Sequence, residues 1–202
     1  MVSTGLHRCG HGRVQFHAGP VWVRSVVSSV VVWRTWLRER LGIPSREELS
    51  GLALAADDAL EVPPPRDLAR LIRGCSVMPI GSVLYLEDGI HTPDLAQFLA
   101  AHQVANPTKL APGTIWPRPS VHHLPLEAST IDYLASCAET VAGPEVCIHL
   151  AVYHDDRVLV SAHDVPGDPV LVNRHLPEEI ITAFAERLGV PREKVQAARY
   201  GG

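Results

Sequence analysis

Eight of the eleven histidines in this chain fall between His91 and His175. They are interleaved with Asp88, Asp94, Asp155, Asp156, Asp164 and Asp168. Neutral imidazole and carboxylate are the donors that bind zinc, iron or manganese, and three of them around an open position make a catalytic centre. On that chemistry His91, His123, His149 and His163 are candidate ligands of one divalent metal, with Asp88 or Asp164 placed to orient or activate a water. The expected activity is metal-dependent hydrolysis. Each residue also has a plainer account. A single His on a strand or helix stripe is more often hydrogen-bonded and structural, and Asp155-Asp156 is turn chemistry first.

Whether the rings converge depends on the elements that carry them. Residues 145–153 and 157–164 form the clearest hairpin in the chain, turning at 154–156. If the turn is the two residues Asp155-Asp156, His149 lies opposite Ala162 and His163 points to the other face. If it is the three residues 154–156, His149 lies opposite Ser161 and His163 becomes its diagonal neighbour on one face, roughly 7–8 Å away. His122 and His123 are consecutive in an extended segment, so only one of them can join a shared site. His91 follows the turn Asp88-Gly89 between a strand and a helix, a position where α/β folds often bind ligands. Glu87 beside it is a further candidate ligand or base.

The remaining pattern supplies the scaffold. Ser45 and Glu48 are spaced as a capping box before Leu49, Leu52, Ala56 and Leu60, which predicts a helix there. Pro63-Pro64-Pro65 forces an extended linker. A short helix is expected over 66–73, a buried strand over 82–87, and a helix starting at Thr92-Pro93 with Leu95, Phe98, Leu99 and His102 on one face. Residues 114–124 read as extended, with Pro117 and Pro119 confining them to a sheet edge. Helices over 127–141 and 177–188, the second stopped by Gly189, flank the hairpin and a short strand over 169–173. The fold class is therefore α+β: a mixed or mainly antiparallel sheet with helices packed on it. The expected domains are an N-terminal extension over 1–44, a helix and proline-rich linker over 45–65, and an α/β domain over 66–202.

Composition narrows the function classes. The net charge is −4, but residues 1–38 hold five arginines and no acid. The rest carries 13 basic side chains against 22 acidic ones, a balance of −9 that opposes nucleic-acid binding. The segment 185–195 has a helix-turn-helix look, yet its second helix has little chain left to form from. Residues 26–33 are too few for a membrane span, which needs about 20 apolar residues. Four scattered cysteines, Cys9, Cys75, Cys137 and Cys147, fit a reducing compartment, so a cytoplasmic location is expected. Organellar import through residues 1–38 is the alternative. No nucleophile elbow, phosphate loop or HExxH motif is present. The competing function class is a non-catalytic protein-interaction module, such as a subunit, an immunity-type protein or a regulator. The Val-rich N-terminal segment and the proline-blunted edge strand would then serve a protein partner or a homo-oligomer.

Overall fold

The computed structural model describes residues 45, 47–87, 89, 91–114 and 120–198. Seven strands form one sheet: β1 (Ala59–Val62), β2 (Val83–Glu87), β3 (Val121–Pro125), β4 (His149–His154), β5 (Arg157–Ala162), β6 (Val170–Asn173) and β7 (Gln196–Ala197). Their order across the sheet is β3-β2-β4-β5-β6-β1-β7, and every neighbouring pair is antiparallel. Five helices accompany it: α1 (Leu68–Gly74), α2 (Pro93–Ala101), α3 (Ala128–Thr140), α4 (Gly143–Val146) and α5 (Glu178–Arg187). The α+β class expected from the pattern is the class observed. No helix among the described residues is long and apolar enough to cross a membrane.

Alternation along the strands gives the two sheet faces different work. Leu84, Leu86, Leu124, Leu150, Val152, Val160, Ala162, Val170 and Val172 turn one face toward the helices. There they meet Leu71 and Ile72 of α1, Leu95 and Leu99 of α2, Ile131 and Leu134 of α3, and Ile181 and Phe184 of α5. Each such side chain, fully buried, contributes about 1.5–3 kcal/mol of transfer free energy, so this is the main source of stability. No helix of the described residues covers the opposite face. It holds a smaller apolar cluster of Tyr85, Leu110, Ala151, Tyr153 and Val158, joined by Leu52, Leu54 and Val83.

The helix ends follow their caps. Asp67 accepts from Arg70 N at 2.7 Å and starts α1, and Thr92 accepts from Leu95 N at 3.4 Å and starts α2. Gly189, at φ 75°, closes α5 with paired bonds from Gly189 N to Glu186 O and from Val190 N to Ala185 O, both 2.9 Å.

Two local expectations are corrected, the helix after Ser45 and the start of the 145–153 strand. The Ser45–Glu48 capping box does form, with Glu48 N 3.1 Å from Ser45 Oγ and Ser45 N 2.6 Å from Glu48 Oε2, but only a turn follows it. Leu52 N bonds Lys109 O and Ala111 N bonds Leu52 O, both at 2.9 Å, drawing the chain into an extended run beside 109–111. A Cβ at Gly51 would lie 2.3 Å from Leu110 C, so only glycine permits that approach. The chain then enters β1, pairing with β6 just before the three prolines. Residues 143–146 form α4 rather than the start of β4, and a 3-10 turn at Arg192–Lys194 leads into β7. The expected edge segment over 114–124 contributes its last residues to β3, which is an edge strand; 115–119 lie outside the described residues.

Phe184 is fully buried in the helix-side core beside Gly74 of α1, whereas Ile80 is 99% exposed. Urea unfolding of Phe184→Ala is therefore expected to lose about 3–5 kcal/mol. Ile80→Ala should stay within about 0.5 kcal/mol of the parent; comparable losses for the two would contradict this core assignment.

Candidate functional site

The register of β4 and β5 decides which polar side chains meet. The turn is the two residues Asp155-Asp156, with His154 opposite Arg157 and Asp155 at φ 52°. A bulge between Val152 and Tyr153 then adds one residue on β5, so Leu150 lies opposite Ala162 and Ala151 opposite Ser161. Continued by one step, that register sets His149 across from His163. Their ring centroids are 5.0 Å apart at an interplanar angle of 62°. Glu87 lies opposite His149 on the other side, so Glu87, His149 and His163 form one cross-strand row on the helix-free face.

Glu87 is fully buried, and its carboxylate is matched by donors. Oε2 accepts from Tyr85 Oη at 2.5 Å and from Gly113 N at 2.8 Å, and Oε1 accepts from Thr114 N at 2.5 Å. His149 is held from both sides. Asp164 N donates to Nδ1 at 3.2 Å, so the ring proton sits on Nε2, which donates to Thr114 Oγ1 at 3.1 Å. A Cβ on Gly113 would lie 2.6 Å from the His149 ring, so the close approach of this loop requires glycine.

His163 differs from these two. It is more exposed than they are, with Nε2 3.3 Å from Ser161 Oγ. Partial burial, and then the neighbouring His149, hold its pKa below the ordinary imidazole value; the carboxylates of Glu87, Asp164 and Asp168 act in the opposite sense. Next to this row lies a cleft of about 240 Å³. Leu52, Leu54 and Leu110 wall it, Val158 and Leu171 line the sheet side, and Ser161, His163 and His149 sit at its polar end. A shallower hollow of about 520 Å³ adjoins it through Ala53, Leu54 and Val158. Among the described residues no buried polar side chain lines that hollow, and its His175 and Asp58 bond each other at 2.9 Å.

The sequence-derived ligand candidates divide among three environments. His149 and His163 meet as described. His123 instead packs edge-on against Tyr85 and Tyr153, with centroids at 5.2 and 5.7 Å, and its Nδ1 lies 3.0 Å from Tyr153 Oη. Burial pushes the Tyr153 pKa up and the His123 pKa down, so the hydroxyl keeps its proton and donates it to the neutral ring. His91 donates from Nε2 to Val146 O at 3.0 Å and abuts His122 at a centroid distance of 5.1 Å. His122, with Nδ1 accepting from Gln103 Nε2 at 2.9 Å, leaves its own Nε2 buried and without a hydrogen-bond partner. Asp164 acts on His149 through its backbone N–H, at φ 44°. Asp88 lies outside the described residues. Among the described residues no three His, Cys, Asp or Glu side chains are arranged to hold a metal ion, so the expected four-histidine convergence gives way to these separate pairings.

Tyr85, Thr114, Gly113 and Ser161 were absent from the expected site. Tyr85 and Glu87 had a signal, since they alternate with Leu84 and Leu86 and so share the face away from the helices. Nothing local marks Gly113 and Thr114, whose role exists only through contact with Glu87. No protein-family model, no curated protein and no solved structure matches this chain.

Gly113→Ala is expected to displace the His149 ring or the loop, at a cost of about 1–3 kcal/mol in chemical unfolding. The Thr114 amide should then exchange faster with deuterium, and unchanged protection there would contradict the assigned contact. The folded state also depresses the proton affinity of His122 and His123 by burial first, as it does for His163. Groups with depressed folded values contribute stability that is complete above the unfolded value near 6.5 and lost as the pH falls below it. The urea midpoint should therefore drop between pH 7.5 and pH 5.0, and His163→Gln should make that drop smaller.

Proposed function

We propose that this chain is a non-catalytic binding module. Its ligand is small, apolar along its body and polar at one end, and it occupies the cleft on the helix-free face of the sheet. One observation carries this reading: an apolar-walled cleft whose floor is made rigid by bonds among Tyr85, Glu87, Thr114 and His149. Such a floor fixes a ligand's orientation with little to reorganise on binding. At about 240 Å³ the cleft is smaller than the roughly 300–1,000 Å³ of drug-sized pockets, which suits a small ligand.

The chemistry of the donors weighs against turnover in the same place. A general base needs a ring position free to take a proton, and both nitrogens of His149 are already engaged. Ser161 and His163 stand 3.3 Å apart, but no hydrogen bond from a described residue reaches His163 Nδ1 to orient that ring as a nucleophile's base. Hydrolysis at a divalent metal needs three ligands and an open position. The row offers His163, and His149 only if it gives up its bonds to Thr114 or Asp164, so the residues do not fit that centre.

The test is a nuclear magnetic resonance titration with a set of straight-chain probes of six to eight non-hydrogen atoms. The amides of Leu54, Gly113, Ser161 and Leu171 should shift together and saturably, and Ala53→Trp, which places a ring at the cleft from an exposed position, should abolish the response. Shifts scattered over the surface, or none at all, would refute the proposal.

A further inference from the structure

The charge around the cleft is one-sided. Among the described residues that line it there is no Lys or Arg, and Glu87 is the one carboxylate. Asp164 and Asp168 add their fields to that of Glu87 at the His163 ring. Glu87 itself is fully buried, so it acts through the floor of the cleft rather than by direct contact. A buried charge beneath a low-dielectric wall is screened far less than a surface one. The groups left to touch a ligand's head are the hydroxyl of Ser161 and the ring of His163, which when neutral offers one acceptor nitrogen.

Resting on the cleft reading above, we propose that the cleft selects ligands whose polar end is a protonated amine, with the ammonium seated at Ser161 and His163 and the carbon chain lying along Leu52, Leu54 and Leu110. An anionic head at His163 would meet the fields of Glu87, Asp164 and Asp168, with no cationic side chain among the described lining residues to offset them. A neutral hydroxyl could bond Ser161 but would gain nothing from the field. The ammonium gains both, because it donates to Ser161 Oγ and to the unprotonated His163 nitrogen and places its charge where the potential is negative. A neutral His163 matches this role, since an unprotonated ring nitrogen accepts from the ammonium and adds no repulsion.

Three probes of one length isolate the head group: n-hexylamine, n-hexanol and n-hexanoate, each titrated into the full chain at pH 7.5 with amide shifts as the readout. The amine is charged at that pH, as a lysine side chain is. It should bind about tenfold more tightly than the alcohol, the margin of a charge-assisted over a neutral hydrogen bond, and hexanoate should not bind. Raising the salt to 1 M should shrink the margin, because the Debye length falls to about 3 Å. Asp164→Asn with Asp168→Asn should bring the amine toward the alcohol while leaving the alcohol's affinity in place, which shows that the fold and cleft are intact; Asn tolerates the left-handed backbone at 164. Equal binding of amine and alcohol would overturn the charge selection and leave the cleft as a binding site. Failure of all three probes to bind would overturn both proposals.

Discussion

A carboxylate with no access to solvent sets the terms for the helix-free face. Removing the Glu87 charge from water costs several kcal/mol unless donors replace the lost hydration. One donor comes from the same strand, where Tyr85 stands two residues away on the same face, and two come from the backbone of Gly113 and Thr114. Meeting this requirement draws the loop at 110–114 down onto the sheet. Leu110 is then positioned against the Leu52 segment, and the Thr114 hydroxyl reaches His149. The wall, floor and polar end of the cleft thus follow from one buried charge and the donors it demands.

The second constraint is geometrical and acts on the same row. A side-chain period of two means that one residue more or less in β5 turns His163 from one face to the other. The two-residue turn alone would have sent it to the helix side. The bulge at Val152 and Tyr153 restores it to the face of His149 and Glu87, where partial burial and three carboxylates act on its ring. An irregularity worth little in stability therefore decides whether the His163 imidazole reaches the cleft.

How far the pattern could be read from residues alone follows the range of the forces involved. Caps and stripes are local, and the helices at Thr92, at 127–141 and at 177–188 all appear close to their expected bounds. The class of the fold follows from the hairpin and the helices around it. By contrast the run 45–60 has a correct capping box and apolar spacing, yet its chain follows Leu110 and β6, partners that are distant in sequence. The site shows the same division. His149 and His163 could be seen as neighbours subject to one unknown, the register, and Glu87 could be seen beside His91. That Glu87 belongs with Tyr85 and a glycine 26 residues away could not, because it depends on burial, which local composition does not encode.

The two faces of the sheet solve different problems, and the difference explains why a cleft exists at all. The helix side is filled by leucine, isoleucine and valine, so it collapses to a close-packed core with no room for a guest. On the other side Tyr85, Glu87, His123, His149 and Tyr153 interrupt the apolar surface, and an amphipathic helix laid over them would strand their polar atoms. Their bonds to one another and to the loop remove that need without a helix of the described residues over them. What remains is a floor already satisfied, bordered by apolar walls and biased toward negative potential. Such a surface needs no ligand to be stable, and it meets an incoming cation with its dipoles and charges already in place, which is where preorganised sites gain their affinity.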